Sequence, residues 1–251
     1  MNELLSQFST GDWCFIALTF VWTGFVRTGI GFGGAAFGIP ILLLIRPDPL
    51  LWLPVIATHL LFFTIITLVR RLSNVDWSYL KRSMKIMIVP KLVGVLGLVV
   101  LPQVVLVVIV YGIILAFALS NIFNYRLSSG GKRSEYLFLV LGAYASGTSL
   151  VGAPLIVGAY SQHVAIRQLR DTLFVLWIIL VCIKMSALAM LDVPLQWQLS
   201  LLMMPAAGIG HIIGLRAHEK LISGDDVRFR RYLGITLAVV STAGLFNVFI
   251  E

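Results

Sequence analysis

Two cysteines in 251 residues leave room for at most one disulfide, which excludes a disulfide-stapled secreted scaffold. Charge is equally scarce. Asp, Glu, Lys and Arg make up 12% of the chain, against about 25% in soluble domains. Only 11 residues are acidic. So few polar residues cannot form a shell around a single core, and this excludes an ordinary soluble enzyme and a disordered chain. Apolar residues fill the space instead, at 59% of the sequence with a mean hydropathy of +0.97. The net charge of +8 would suggest a nucleic-acid partner in a soluble protein, so the positions of the charges decide its meaning.

About 20 apolar residues cross a bilayer as a helix, fewer where a helix is broken. Ten apolar elements can be read: Trp13–Gly29, Gly31–Ile45, Leu50–Val69, Ile86–Leu101, Val104–Phe123, Tyr136–Ser146, Leu150–Tyr160, Thr172–Leu191, Trp197–Leu215 and Tyr232–Phe249. The second, sixth and seventh are short enough to half-cross. When the gaps are assigned alternately to two sides, one side collects 15 of the 19 basic residues and the other only Arg46. The positive-inside rule places the basic side in the cytoplasm and both termini outside. The basicity is thus a topology signal, and nucleic acid is not an expected partner. The expectation is an all-α multi-pass protein of the inner membrane, with the lipid bilayer as solvent. The N-terminal segment lacks the basic residues of a cleaved signal. Cys14 and Cys182 fall inside apolar elements and are expected as buried small hydrophobes rather than a disulfide or metal pair. The six tryptophans fit an interfacial belt.

The chain contains an internal repeat. Gly31-Phe-Gly-Gly-Ala-Ala-Phe-Gly-Ile-Pro40 resembles Ala145-Ser-Gly-Thr-Ser-Leu-Val-Gly-Ala-Pro154. Gly33, Gly38 and Pro40 align with Gly147, Gly152 and Pro154. Pro90 and Pro205 follow the two motifs at matching distances, each trailed by glycines. Each half then holds five elements. Five is odd, so the halves are expected as inverted repeats, an architecture of secondary transporters. The halves are residues 1–125 and 135–251, joined by a cytoplasmic linker at 126–134. Clustered Gly and Pro disfavour helix and predict broken or short helices at the motifs. A helix that restarts there offers free N–H groups and a positive dipole end to an anion. Gly33, Gly34, Gly38, Pro40, Gly147, Thr148, Ser149, Gly152 and Pro154 are therefore candidate substrate-binding residues, with Ser146 as a further hydroxyl. Taken singly, each glycine also suits close helix packing.

Three cations fall within the spans: Arg27, Lys91 and Lys184. A lysine at a helix centre costs roughly 2.5–3.5 kcal/mol on insertion scales, and no acid lies well inside any span. An anionic substrate, or backbone carbonyls freed at the breaks, would offset that cost, so all three join the candidate site. His59 and His211 lie mid-span and are the side-chain candidates for proton coupling, with buried packing as the alternative. His163 and His218 are expected in solvated loops. Ser and His are scattered with no nucleophile pattern and no orienting acid. Neither an enzyme, a cofactor nor a metal site is expected.

The motifs Gly29–Pro40 and Ser146–Pro154, the run Gly208–Leu221 and the basic segment Arg228–Arg231 together resemble the sulfite exporter TauE/SafE family of bacterial membrane permeases. The resemblance runs from about Val21 to Phe249. It implies transport of sulfite or a small organosulfonate, often outward, with uptake or channel-like conduction of a related anion as the alternative. The sequence leaves a homodimer open.

Overall fold

The computed structural model describes residues 8–30, 34–69, 71–123, 131–223 and 226–250. Of Ile30, 218–223, 226–230 and Phe249 it describes the backbone alone. Among the described residues the chain is all-helical. Its ten α-helices are α1 Thr10–Ile30, α2 Gly34–Ile45, α3 Pro49–Leu68, α4 Trp77–Val100, α5 Gln103–Ile122, α6 Lys132–Ser149, α7 Ala153–His163, α8 Ile166–Met190, α9 Trp197–Ser223 and α10 Asp226–Ile250. Six helices or helix segments are long and apolar enough to cross a membrane by length and composition: α3, α4, α5, α8, Trp197–Ala217 of α9 and Arg231–Val248 of α10.

The sparse acids mark helix starts. Ser9 N–H donates to Asp12 Oδ2 at 2.9 Å and Asp12 N–H donates back to Ser9 Oγ at 3.2 Å, a reciprocal cap on α1. Asp48 accepts from the N–H groups of Leu50 and Leu51 ahead of α3, with Pro49 at the first helical position. Asp76 accepts from Tyr79 N–H at 3.0 Å and starts α4. That helix begins nine residues before the apolar element read from Ile86. The polar stretch is amphipathic: Tyr79, Leu80, Ser83, Met84 and Met87 are buried, while Lys81, Arg82 and Lys85 face outward.

The packing partners exchange between the halves. The most extensive contacts are α1 with α9, α5 with α10 and α4 with α6, while α3 meets α8, α9 meets α3 and α8 meets α4. Replacing each helix of α1–α5 by its counterpart in α6–α10 maps each of these contacts onto another of them or onto itself. Glycines allow the closest approaches. A Cβ on Gly147 would lie 2.6 Å from the Lys91 carbonyl oxygen and 2.8 Å from Gly94 Cα, so α4 and α6 touch backbone to backbone. On the other side, a Cβ on Gly24 would collide with the Ala207 carbonyl and one on Gly210 with the Val21 carbonyl, which locks α1 to α9.

Apolar side chains also cover the outside. Leu18, Val89, Val100, Leu201 and Phe246 are exposed, as a lipid-facing surface requires. Cys14 and Cys182 are free and exposed, which corrects the expectation of buried cysteines. A small hydrophobe is as well solvated by lipid as by a core.

Candidate functional site

The two motifs meet at one cavity. It is lined by Gly34, Ala35 and Ala36 from the start of α2, and by Ser146, Leu150, Val151, Ala153 and Pro154 around the break between α6 and α7. Leu60 and Thr64 of α3, Phe117 of α5 and Phe174, Trp177 and Val181 of α8 complete its walls, together with Arg27. The space measures about 610 Å3 counted out to its open mouth.

Local sequence explains how the N-terminus of α7 comes to face it. Leu150 closes α6 in the left-handed conformation at φ 61°. That conformation disfavours a branched residue by roughly 1–2 kcal/mol, so the break stores strain beside the cavity. Gly152 then precedes α7, whose second residue is Pro154. The first motif differs. α2 starts at Gly34 and Pro40 sits inside it. Pro40 has no N–H to donate to the Ala36 carbonyl, and Ala36 is a cavity residue. The start of α7 leaves unpaired backbone N–H groups and a positive dipole end at the cavity.

Arg27 supplies the cavity's formal charge. A Cβ on Gly34 would sit 2.8 Å from Arg27 Cβ, so the bare glycine is what lets the arginine lie against the start of α2. The guanidinium lies over Phe63 at 4.6 Å from the ring centroid. Its Nη2 is buried with no hydrogen-bond partner among the described residues. No acidic residue lines the cavity among the described residues.

The buried lysines stand elsewhere. Lys91 Nζ donates to the Ser146 carbonyl and hydroxyl oxygens, both at 2.8 Å. Lys184 Nζ reaches the Thr148 carbonyl at 3.5 Å. Both are fully buried and neither lines the cavity. They hold carbonyls in the last turn of α6, the negative end of that helix dipole. In this conformation the carbonyl alternative of the sequence reading describes them, and Arg27 is the cation facing the cavity.

The other candidates fall as follows. Gly34 and Pro154 line the cavity with Arg27. Gly38 packs on Thr23 and Ile56, Gly147 on Gly94, and Gly152 on Gly142. The Thr148 and Ser149 hydroxyls donate to backbone carbonyls of α6. The Pro40 carbonyl accepts from the Tyr111 hydroxyl at 3.1 Å. Gly33 lies outside the described residues. His59 Nε2 is 2.7 Å from the Ser200 carbonyl oxygen, away from the cavity. His211 Nδ1 is 2.7 Å from Thr28 Oγ1. Lys91 and His211 each occupy the fifteenth position of their helices, α4 and α9. Lys91 reaches Ser146 in the last turn of α6, and His211 reaches Thr28 near the last described residues of α1.

Sequence reasoning missed a polar cluster at the basic end. Glu135 and Asp171 are buried rather than solvated. Glu135 Oε1 accepts from the Tyr79 hydroxyl at 2.9 Å and from Arg82 Nη2 at 2.7 Å, and His163 Nε2 lies 3.1 Å from Oε2. His163 stacks on Tyr79 and stays exposed, as expected, but it sits at the last position of α7 rather than in a loop. The cluster joins α4, α6 and the end of α7. The place of Glu135 just ahead of the apolar element read from Tyr136 hid it, since a buried acid needs partners that only folding brings near. Among the described residues, no group of His, Cys, Asp or Glu has a metal-binding arrangement.

An apolar helical bundle with a broken helix pair and a buried cation at one cavity fits the class of multi-pass membrane permeases. Within that class the chain belongs to the sulfite exporter TauE/SafE family, whose family model matches residues 16–243. Comparison with curated proteins and with solved structures returns no significant match.

Proposed function

We propose that this protein is a secondary transporter that exports sulfite or a small organosulfonate, and that the anion binds in the cavity where the two motifs meet. One observation carries the reading. The N-terminal end of α7, the Gly34–Ala36 backbone and the unpartnered Nη2 of Arg27 serve a single cavity that no acid lines among the described residues. The first N–H groups of α7 with the guanidinium supply donors and positive charge to a sulfur oxyanion. Phe117, Leu150, Trp177 and Val181 offer apolar walls to a short organic tail. Lys91 and Lys184 act one layer out. They neutralise the carbonyl end of α6 that would otherwise repel the anion.

In this reading the basic end faces the cytoplasm, and the anion leaves when the two halves rock about the cavity. A membrane potential negative inside favours export by about 2.3 kcal/mol per charge per 100 mV. Flux into and out of proteoliposomes, with sulfite and with methanesulfonate, tests the reading. The wild-type chain is expected to carry at least one of them. Arg27→Gln is expected to lower apparent affinity 10- to 100-fold, the loss of about 1.5–3 kcal/mol that goes with a charged hydrogen bond. Unaltered affinity and flux in Arg27→Gln would remove this cavity from the transport path.

A further inference from the structure

We infer that His211 is a proton-binding residue of the anion site, and that it takes up a proton when an oxyanion binds beside Arg27. The inference rests on the reading of the Arg27 cavity as that site.

A smaller cavity adjoins the first, and Arg27, Thr64 and Phe174 line both. His211 reaches the smaller one from α9, opposite Thr28 of α1 and Phe63 and Thr67 of α3. Arg27 and His211 share one ring. The guanidinium carbon lies 4.6 Å from the centroid of Phe63, and the imidazole centroid lies 4.8 Å from it. Thr28, the chain neighbour of Arg27, places its Oγ1 2.7 Å from His211 Nδ1. The imidazole is thus tied to the turn of α1 that carries the cavity's cation.

The two mid-span histidines differ in what an added proton meets. His59 Nε2 faces the Ser200 carbonyl, which can only accept. Nε2 therefore carries the hydrogen, and a second proton would go to Nδ1. That atom is buried with no hydrogen-bond partner among the described residues, so the new N–H would be unsatisfied, at full desolvation cost. His211 has a hydroxyl partner instead. A hydroxyl donates to a bare Nδ1 and accepts from a protonated one, so the bond to Thr28 survives in both states. His211 lines the smaller cavity, while His59 lines neither.

Charge decides when the proton is held. The charged side chains that line the smaller cavity with His211 are Arg27 of α1 and Arg170 of α8. Arg170 lies over Phe174, and Asp171 beside it offsets its charge. Among the described residues no acid lines either cavity. α3 contributes only Phe63, Thr64 and Thr67 to the smaller one, and α10 contributes nothing to it. On α9 itself, Arg216 lies five positions on and is exposed. With the cavity empty, a proton on His211 adds a second positive charge beside the unpartnered Arg27 Nη2. A bound oxyanion offsets both. Anion and proton therefore favour each other, by linkage. The proton comes from solvent and adds to the imidazole lone pair, and no other bond forms or breaks. A doubly charged oxyanion favours the proton more than a singly charged sulfonate does.

Binding to the full chain in detergent, measured by calorimetry at pH 5.5, 7 and 8, tests this. The probes are methanesulfonate and sulfate, whose charges stay fixed over that range. Repeating the titrations at pH 7 in buffers of different ionisation enthalpy counts the protons taken up. The wild type is expected to take up part of a proton per anion, more with sulfate than with methanesulfonate. Its affinity is expected to be about tenfold weaker at pH 8 than at pH 5.5. His211→Gln and His211→Asn are expected to take up no proton and to lose the pH dependence. His59→Gln is expected to behave as the wild type.

Anion binding without proton uptake in the wild type overturns the inference alone and leaves the transport reading standing. Wild-type uptake in a folded His211 variant overturns it, as does loss of uptake in His59→Gln. Loss of folding in both His211 variants makes the residue structural and overturns it too. A wild type that binds neither probe also overturns it, and sulfite flux in proteoliposomes then decides the transport reading separately.

Discussion

Lys91 Nζ lies 2.8 Å from both the carbonyl and the hydroxyl oxygen of Ser146, and Ser146 is itself a wall of the cavity between the motifs. One buried cation thus fixes the last turn of α6 from behind. Removing one partner of a buried hydrogen bond costs about 1–3 kcal/mol, but the Ser146 carbonyl still accepts from the Leu150 N–H. Lys91→Met is therefore expected to fold, with an unfolding midpoint in detergent within a few degrees of the wild type. Its flux is expected to fall at least tenfold, because the α6 end loses its anchor. Wild-type flux in a folded Lys91→Met would show that the anchor is dispensable.

Gly147 and Gly97 offer a paired test of the repeat contacts. A Cβ on Gly147 would lie 2.6 Å from the Lys91 carbonyl oxygen, whereas one on Gly97 meets only Leu101 Cδ1 at 3.7 Å. Backbone cannot yield as a side-chain tip can. Gly147→Ala is expected to destabilise by about 1–3 kcal/mol. Gly97→Ala is expected to be neutral or stabilising by up to about 1 kcal/mol through its better helix propensity. Thermal unfolding of both variants in one detergent reads the difference.

The Glu135 cluster joins three helices at the basic end. The Arg82–Glu135 contact is 2.7 Å, with the Arg82 side chain 58% exposed and that of Glu135 5% exposed. Exposure of one partner limits the pair, so a double-mutant cycle between Arg82→Gln and Glu135→Gln is expected to give a coupling of about 1 kcal/mol. Tyr79→Phe, which removes the other donor to the same oxygen, is expected to cost about 0.5–1.5 kcal/mol. A coupling near zero in the cycle would mean that the cluster does not act as a unit.

The two mid-span histidines are expected to separate. His59 bonds the Ser200 carbonyl and packs edge-on against Phe20 at 5.0 Å. A glutamine keeps a donor there, so His59→Gln is expected to retain wild-type flux and pH profile. His211 lines the cavity shared by Arg27 and Arg170. His211→Gln is expected to change apparent anion affinity several-fold. Flux measured between pH 5.5 and 8 in both variants distinguishes them, and an altered profile in His59→Gln alone would reverse the assignment.

Much of the architecture was legible in the sequence. Ten apolar elements appear as ten helices in the same order among the described residues, because backbone in hydrocarbon must satisfy its own hydrogen bonds and length then sets the span. The second glycine and proline motif marked where α6 stops and α7 begins. The candidate site was legible in part. Arg27, Gly34 and Pro154 line the cavity, but Glu135 was hidden just ahead of the apolar element read from Tyr136.

The sequence by itself determined the apolar helices, the asymmetry of basic charge and the interruption between α6 and α7. Tertiary structure decided which way each residue faces. It turned Cys14 and Cys182 to the outside, set Lys91 and Lys184 on the carbonyls of α6, and left Arg27 on the cavity. The reason is physical. In water, the contrast between core and solvent writes a residue's facing into its hydrophobicity. In lipid the core and the outer surface are both apolar, so that contrast vanishes. Facing is then set by close packing at glycines and by the few polar groups that must find partners.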